Sequence, residues 1–338
     1  MPTGEELKIL QNLPLDIKVW KTKQRIREWV NYFGEDGVYI SFSGGKDSTV
    51  LLHIARELYP NMEAVYIDTG LEYPEIKSFI RTFDNVTILR PKMRFDEVIR
   101  KYGYPLIGKE VSAAVYEARN ATRNGNPNNY RMKKFNGELM DKNGNKSQFN
   151  LEKWKPLLNM PFSISDRCCD VMKKEPSRRY GKEKVKVPIT AQMTCESRLR
   201  RQQWLRHGCN AFDKKTPMSN PMSFWTEQDV LIYIKEQNLP IASVYGEIIP
   251  EESAPQKLKC TGCKRTGCVF CCFGITAEKD ENRFERLRRT HPKHYDYCLN
   301  GGEYDPTDGL WKPSKDGLGM KYVFDKINEI YGQNFIRY

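Results

Sequence analysis

The chain has 338 residues, of which 39% are hydrophobic and 29% are charged, a composition typical of a globular protein of one or two domains. Its 55 Lys and Arg exceed its 43 Asp and Glu by 12 charges, which favours an anionic partner. No apolar run approaches the roughly 18 residues of a membrane span, and the charged start is unlike a signal peptide. We therefore expect a cytoplasmic protein with no membrane partner, whose ten cysteines stay reduced and are candidate metal ligands.

Predicted helices and strands alternate along the chain. An amphipathic pattern predicts an N-terminal helical segment over residues 5–32, and the later elements are strands at 37–42, 63–68, 86–89 and 186–194 and helices at 48–59 and 225–237, the last with Thr226 as N-cap. This alternation predicts an α/β fold with a Rossmann-like parallel sheet.

Composition divides the chain into three predicted parts. They are an N-terminal helical segment (1–35), a nucleotide-binding α/β domain (36–245), and a cysteine-rich region with a tail (246–338). Residues 120–150 form a polar insertion within the second part. Its Asn-Gly pairs at 136–137 and 143–144 predict a hairpin or a mobile flap, which either covers substrate or has no role in chemistry.

The most informative short segment lies between the first strand and the helix after it, and reads Ser43-Gly44-Gly45-Lys46-Asp47-Ser48. The glycines let the backbone approach a ligand, and the start of the helix attracts anions. The serines and Lys46 add donors, while Asp47 can hold Mg²⁺ or orient the loop. The spacing is neither that of the P-loop nor that of the dinucleotide fingerprint. A phosphate site is the stronger interpretation and an ordinary glycine turn is the alternative.

This segment resembles S-G-G-x-D-S, the PP-loop of ATP pyrophosphatases and sulfonucleotide reductases. The second strand is followed by Asp68-Thr69-Gly70 and then by residues 71–76, similar to the T-G-x-x-[FY]-P-E-T element of phosphoadenylylsulfate (PAPS) reductases, with Ile76 in place of the last Thr. Residues just past a strand's carboxyl end face the ligand crevice of open α/β sheets. The resemblance implies the PP-loop (adenine nucleotide alpha hydrolase) fold. It also implies an adenine nucleotide, ATP or a sulfonucleotide, with Mg²⁺ on the loop and Asp68, Thr69 and Gly70 beside the adenosine.

Seven cysteines fall into two groups, which are Cys168-Cys169 and the cluster Cys260, Cys263, Cys268, Cys271 and Cys272. The cluster contains two C-x-x-C pairs, and such pairs can bring four thiolates to one zinc ion or iron–sulfur cluster. A local site of Cys260, Cys263, Cys268 and Cys271 is therefore one candidate. The other three cysteines, Cys195, Cys209 and Cys298, are expected to be packed side chains or free thiols.

The adjacent pair offers a second solution. Residues 168–176 resemble C-C-x-x-x-K-x-x-P of assimilatory adenylylsulfate (APS) reductases. In that family the pair and a distant G-C-x-x-C, downstream of a tyrosine-containing loop, hold one [4Fe–4S] cluster near the lysine. Here the corresponding positions are Gly267–Cys271, with Tyr245 upstream. The resemblance implies Cys168, Cys169, Cys268 and Cys271 as cluster ligands, with Lys173 as a catalytic residue. Zinc stays an alternative metal, and Cys260 and Cys263, which depart from the pattern, leave a local or second site open.

The segment between the cysteine groups is strongly basic. Residues 191–200 are similar to the family's G-x-R-x-x-E-S-x-x-R, with Ala191 and Met193 replacing its glycine and first arginine, which implies that Arg198 and Arg200 contact an anionic acceptor. Residues 220–230 are similar to its P-x-x-x-W-t-x-x-D-V stretch. Between Lys173 and Lys215 there are 13 Lys and Arg against 4 Asp and Glu. That excess fits nucleic acid, or else a phosphosulfate pocket with a solvated helix face. Trp204 either stacks a base or belongs to the core.

One family element is missing from the sequence. Sulfonucleotide reductases end with E-C-G-[LI]-H, whose cysteine is the nucleophile, and only Cys298 occurs late in this chain. We expect Cys298 to be packed rather than nucleophilic. PP-loop enzymes without that tail typically adenylate a substrate and release pyrophosphate. They include DndC-like proteins, which support DNA phosphorothioation.

The sequence therefore predicts an ATP-dependent PP-loop enzyme of sulfur transfer. Its catalytic candidates are Lys46, Asp47, Lys173, Arg198 and Arg200. Its partner would be a nucleic acid (DNA or tRNA) or a sulfur-donor protein, and its oligomeric state is open. Two alternatives stand beside this prediction. One is a PAPS or APS reductase that releases sulfite with thioredoxin, and the other is a non-catalytic subunit that binds nucleic acid or a protein partner.

Overall fold

The computed structural model describes residues 2–278 and 280–338. Its strands are β1 (Val38–Ser41), β2 (Ala64–Ile67), β3 (Val86–Leu89), β4 (Val187–Ile189), β5 (Asn210–Ala211), β6 (Met218–Ser219), β7 (Ile248–Glu251), β8 (Ala254–Cys260), β9 (Glu303–Tyr304) and β10 (Trp311–Lys312). Its α-helices are α1 (Gly4–Gln11), α2 (Leu15–Phe33), α3 (Lys46–Leu58), α4 (Pro74–Ile80), α5 (Phe95–Tyr102), α6 (Lys109–Arg123), α7 (Tyr130–Asn136), α8 (Arg167–Cys169), α9 (Glu175–Lys184), α10 (Arg198–His207), α11 (Glu227–Glu236), α12 (Arg283–Thr290), α13 (Pro292–Leu299) and α14 (Met320–Tyr331).

The main sheet has six strands in the order β3-β2-β1-β4-β6-β5. Ile40 of β1 pairs in parallel with Ala64 on one side and with Ile189 on the other, and only the short pair β5–β6 at the edge is antiparallel. Val38, Tyr39 and Ile40 are buried, which explains why β1 reads as a continuous apolar run. The predicted α/β class, with a Rossmann-like and mostly parallel sheet, is confirmed.

Local sequence signals account for the ends of several elements. Thr226 accepts a hydrogen bond from the backbone N–H of Asp229 at 3.3 Å and so begins α11, as predicted. The amphipathic segment predicted over residues 5–32 is divided into α1 and α2. Pro14 is the N-cap of α2, since proline has no N–H to continue the preceding helix.

The polar insertion contains the predicted turns. Gly137 and Gly144 both have positive φ, +74° and +77°, and an antiparallel bridge joins Met140 to Lys146. Helix α6 extends into the segment as far as Arg123, and α7 follows it. The two turns are confirmed, and a role as a flap over substrate stays a prediction.

The chain divides into two compact units. The first comprises residues up to Asp68, residues 72–90 and residues 176–267, and it contains the six-stranded sheet, α10, α11 and the β7–β8 hairpin. The second comprises residues 69–71, 91–175 and 268–338. Each unit has its own buried aromatic core, with Trp29 and Trp225 in the first and Phe284 and Phe324 in the second. The division is discontinuous in sequence, whereas the three predicted parts are continuous segments.

Among the described residues, no helix combines the length and the apolar character that crossing a membrane needs.

Candidate functional site

The glycine loop of the first unit joins β1 to α3 and is held by its own hydroxyl groups. The hydroxyls of Ser43 and Ser48 lie 3.1 Å apart, and Ser48 donates to the carbonyl of Gly45 at 2.9 Å. Gly44 has φ +69°, and a Cβ at this position would lie 2.8 Å from the side chain of Ile80. Gly45 is the N-cap of α3 and provides no side-chain cap. The Tyr245 hydroxyl is hydrogen-bonded to the backbone of Lys46, and Gly45 leaves the other first N–H groups of α3 without a side-chain cap, an arrangement that suits an anion.

Lys46 is the first residue of α3, and its side chain is almost fully buried. Its ammonium group lies 3.5 Å from Cys260 Sγ and 3.5 Å from Glu227 Oε1, and 5.1 Å from the centre of the Tyr245 ring. The Tyr245 hydroxyl hydrogen-bonds the Thr266 hydroxyl at 2.5 Å. Helix α11 thus supplies a carboxylate beside the lysine of the loop, and the β7–β8 hairpin with the turn before it supplies a thiol and an aromatic ring.

Asp47 carries the one carboxylate of the loop itself. Burial raises its pKa, and the charges of Lys46 and Arg265 oppose that increase, as Arg200 does more weakly. Arg200 and Arg265 are in turn both paired with Glu196, the latter at 3.4 Å. The first unit therefore gathers three cations around the half-buried Asp47 at the start of α3, and the cations are themselves paired with Glu227 or Glu196. Such a cluster can bind an anion together with a metal ion.

Two thiols of the first unit belong to the same surroundings. Burial raises the pKa of Cys260, and the adjacent Lys46 charge opposes this. Cys195 is exposed. Partial burial of its sulfur still raises the pKa of Cys195. The charge of Arg265 lowers this pKa, and the charge of Asp47 raises it. Neither cysteine was expected from the sequence to lie near the loop.

The predicted adenosine-side residues follow β2. Asp68 forms ion pairs with Lys77 at 2.7 Å and with Arg90 at 4.0 Å, all within the first unit. Thr69 and Gly70 belong to the second unit, where the buried Thr69 hydroxyl accepts a hydrogen bond from the N–H of Leu71. Gly70 has φ +78°, so this turn is one that glycine favours.

In the second unit, the four cysteines implied by the APS reductase resemblance line one small cavity. Its wall consists of Cys168, Cys169, Cys268 and Cys271 together with Leu71, Phe95, Pro105, Met172 and Lys173. Cys168 and Cys169 lie at the end of α8, where a π-helical turn (residues 170–174) leads into α9. The turn places Lys173 on the same cavity as the adjacent cysteines, in agreement with the predicted grouping.

The charges around this cavity favour a thiolate at Cys169. A hydrogen bond from the Cys168 thiol, together with the charges of Lys109 and Lys173, holds the pKa of Cys169 below its usual value. The same hydrogen bond raises the pKa of Cys168, and burial raises that of Cys271 to about 11. Thiolate sulfur is a ligand that soft metal ions prefer, and these charges stabilise a thiolate at Cys169.

The two C-x-x-C pairs belong to different compact units. Cys260 and Cys263 belong to the first unit, and Cys268 and Cys271 to the second. Across residues 2–278 and 280–338, no three His, Cys, Asp or Glu side chains are arranged to hold a single metal ion. The four cysteines of the second unit line one apolar-walled cavity instead.

The other cysteines differ sharply in exposure. Cys298 is fully buried, with its Sγ 3.3 Å from Met320 Sδ, and Cys209 is buried in the first unit. Both are packed side chains, as predicted. Burial raises the pKa of Cys298 well above its usual value, so this thiol cannot replace the cysteine of the missing tail.

The predicted acceptor-binding arginines lie on α10 but differ in environment. Arg200 is paired with Glu196 and is electrostatically coupled to Asp47, whereas Arg198 is exposed to solvent. Sequence reasoning overlooked Arg265 and Glu227, which complete the charge cluster around the loop. Their positions depend on how residues 225–267 fold around the loop, and a short sequence motif cannot predict such long-range contacts.

Comparison with known proteins places this geometry in a family. The family described as phosphoadenosine phosphosulfate reductase domain matches residues 37–106 and 133–273. A phosphoadenosine 5'-phosphosulfate reductase of Gloeobacter violaceus is 24% identical over 241 residues, which are 70% of this chain and 76% of that protein. An uncharacterized protein of Methanocaldococcus jannaschii is 40% identical over 70 residues, which are 19% of this chain and only 17% of that protein.

A solved structure was also found. The phosphate complex of a PAPS reductase from Candida auris matches with a TM-score of 0.38 at 16% identity, covering 72% of this chain and 91% of its own. The family match spans more than half of the chain and includes both the Ser43–Ser48 loop and the two groups of cysteines. The chain belongs to the phosphoadenosine phosphosulfate reductase family.

Proposed function

We propose that this chain is an ATP-dependent PP-loop enzyme of sulfur transfer. ATP would bind with its phosphates on the Ser43–Ser48 loop, a substrate would be adenylated, and pyrophosphate would leave. The observation that carries the proposal is the start of α3, which Gly45 leaves without a side-chain cap, together with three cations whose charges act on Asp47, since such a site suits several linked phosphates better than a single sulfate.

Several groups in and around the loop have a proposed task in this reaction. The backbone N–H groups of α3 and the Ser43 hydroxyl would bind phosphate oxygens. Lys46 and Arg200 would stabilise the charge that develops on the departing pyrophosphate. Asp47 would hold Mg²⁺ together with the phosphates, because Mg²⁺ sites of this kind use one or two carboxylates.

The second unit would hold a [4Fe–4S] cluster on Cys168, Cys169, Cys268 and Cys271. When bound, such a cluster supplies electron transfer or a site for a sulfur ligand. Lys109 and Lys173 would offset the negative charge of the thiolates. This role for Lys173 is electrostatic and follows from the influence of its charge on Cys169.

Nucleotide binding and turnover test the proposal. Protein purified without oxygen would be titrated with ATP, APS and PAPS, each with Mg²⁺, by calorimetry, and pyrophosphate and sulfite would be measured. We expect tight ATP binding that is lost in Lys46→Ala, pyrophosphate from ATP, and no sulfite from either sulfonucleotide. Sulfite production with thioredoxin, or ATP binding unaffected by Lys46→Ala, would contradict the proposal.

The reductase is a second candidate, and one observation favours it. The chain lacks the family's tail cysteine, yet Cys260 lies in contact with Lys46 and Cys195 lies within electrostatic reach of Asp47. These two thiols near the loop support the reductase as a candidate, because the reaction needs a thiol nucleophile.

The same preparations test this candidate. Incubation with APS or PAPS without added thiol would leave a thiosulfonate on the attacking cysteine, which mass spectrometry locates. An adduct on Cys195 or Cys260 that is absent from the corresponding serine variant would support the reductase. Unmodified cysteines together with pyrophosphate release from ATP would exclude it.

A further inference from the structure

A cleft in the first unit has no role in the function proposed above. It measures about 630 Å³ and is lined by residues of α1, α2 and α10 and by the segment around β5. Trp204, Phe212 and Phe224 form its apolar wall. Its polar lining has both signs of charge and comprises Lys21, Arg25, His207, Glu6 and Glu28. The volume is within the range of small-ligand sites, which is roughly 300–1,000 Å³.

The aromatic wall is held in place by packing. The ring of Phe212 lies 4.9 Å from that of Trp29 and 4.9 Å from that of Tyr32, and Trp29 is fully buried. Trp204 is 5% exposed. Phe224 is 1% exposed, so the partly exposed Phe212 is the ring of this wall that a ligand can reach. A ring held in place by packing binds another flat ring with little loss of side-chain entropy.

Helix α10 borders this cleft and carries an uncompensated positive charge. Arg198, Arg201 and Arg206 are all exposed. In the part of the chain that the structure describes, none of the three forms an ion pair, in contrast to Arg200 with Glu196. We call these three residues the α10 arginines. Their charges face solvent rather than a structural partner, which is typical of a surface that meets a polyanion.

The cleft and the nucleotide loop are linked through the same helix. Trp204 and His207 also line a second, smaller pocket together with Arg200 and Lys214. The charge of Arg200 acts on Asp47 of the loop. A ligand in the cleft would therefore contact the same helix, α10, that carries Arg200. The cleft, this helix and the loop all belong to the first unit.

We propose that the first unit binds single-stranded nucleic acid, with one unstacked base in the aromatic cleft and phosphates on the α10 arginines. A base supplies the flat ring that the cleft fits, and its backbone supplies charges at the spacing of several cations. An acidic protein surface would meet the arginines but would leave the aromatic cleft empty. The inference rests on the proposed function in one respect, because it names the class of the acceptor.

Binding of labelled oligonucleotides tests the charge component. A mixed-sequence, 15-nucleotide single strand, as DNA and as RNA, would be titrated by fluorescence anisotropy at several salt concentrations. We expect the triple variant R198A/R201A/R206A to bind at least tenfold more weakly, with a salt slope reduced by about 2, since each phosphate contact contributes about 0.7. The matched control K155A/K293A/K315A removes three exposed lysines of the second unit and should change affinity less than twofold.

A second pair of variants tests the cleft. Phe212→Ala should weaken binding by roughly 5- to 150-fold through lost stacking while leaving the salt slope unchanged. Ile9→Trp fills the mouth of the cleft from a side chain that is 64% exposed, so its effect does not depend on repacking of the core. A duplex of the same sequence should bind more weakly than the single strand.

Several results would overturn the proposal. Equal losses in the two triple variants would show a response to net charge alone. Unchanged affinity in Phe212→Ala and Ile9→Trp would show that no base enters the cleft. Displacement of the oligonucleotide by polyglutamate at equal charge concentration would favour an acidic protein partner. ATP binding without oligonucleotide binding would defeat this inference alone, and the expected oligonucleotide pattern without ATP binding would defeat the proposed function alone.

Discussion

The ammonium group of Lys46 lies 3.5 Å from the thiol of Cys260, so the lysine of the nucleotide loop and the first cysteine of a C-x-x-C pair share one environment. Burial raises the pKa of Cys260, and Lys46 counteracts it. Any anion that binds Lys46 therefore also changes the chemistry of this thiol.

Removal of the Lys46 charge should slow alkylation of Cys260. In Lys46→Met the pKa of Cys260 rises further, so the thiolate fraction at pH 8 falls and iodoacetamide reacts several-fold more slowly. Mass spectrometry of the Cys260 peptide over time measures the rate. Lys23→Met, in which a lysine paired with Glu57 is lost elsewhere in the first unit, is the control. Equal rates in the two variants would show that Lys46 does not act on the thiol.

Gly44→Ala should abolish nucleotide binding and destabilise the fold. The positive φ and the 2.8 Å approach of a Cβ to Ile80 together predict a loss of about 1–3 kcal/mol in the free energy of unfolding. Chemical denaturation and ATP calorimetry measure the two effects. Gly108→Ala is the matched control, because that glycine has ordinary φ and open space around its Cα. A Gly44→Ala variant with normal ATP affinity would mean that the loop does not bind phosphate.

Asp47→Asn should stabilise the protein near neutral pH. Because burial raises the pKa of Asp47, the folded chain holds this proton more tightly than the unfolded chain does. Its favourable contribution is full at low pH and is lost as pH rises from about 4 through the folded-state pKa. The variant should therefore be more stable than the wild type at pH 7 and should show a flatter pH dependence of unfolding.

The control for this experiment is Asp316→Asn, which removes an exposed carboxylate. It should leave the pH dependence of unfolding unchanged. Mg²⁺–ATP affinity should fall in Asp47→Asn alone. A wild-type stability that increases between pH 4 and pH 7 through Asp47 would contradict the sign of the effect.

Sequence patterns were sufficient where function or folding is local. The SGGKDS loop, the Thr226 cap and the turns at Gly137 and Gly144 each depend on neighbours within a few residues, so each could be predicted. The positions of Arg265, Glu227 and Cys195 could not, because the fold brings them to Asp47 from three separate segments. The same is true of the pair Cys260 and Cys263. Only four residues separate this pair from the Cys268 pair in sequence, yet the two pairs belong to different compact units.

Cys298→Ser should destabilise the protein without changing its chemistry. Cys298 packs against the Met320 thioether in the second unit, which is a weak hydrogen-bond acceptor. Burying a serine hydroxyl there should lower the free energy of unfolding by about 1–3 kcal/mol. Turnover per folded molecule, measured at low temperature, should equal that of the wild type. Iodoacetamide should modify the exposed Cys195 readily and leave Cys298 untouched in the native protein. Native labelling of Cys298 would contradict its burial.

Serine variants should separate the two C-x-x-C pairs by iron content. Cys268→Ser or Cys169→Ser should lose the visible absorbance of an iron–sulfur cluster and most bound iron after anaerobic purification. Cys260→Ser, the matched control from the other pair, should retain both. Loss in all three variants would favour a local four-cysteine site, and bound zinc without iron in the wild type would exclude the cluster.

The second unit is assembled from chain on both sides of residues 176–267, and this has a consequence during synthesis. When Cys168 and Cys169 leave the ribosome, the segment that carries Cys268 and Cys271 has not been made. At roughly 5–20 residues per second, the intervening segment takes about 5–20 s to translate. For that interval the adjacent thiols have no complete cavity around them, so they are open to oxidation until the last fifth of the chain, residues 268–338, has been made.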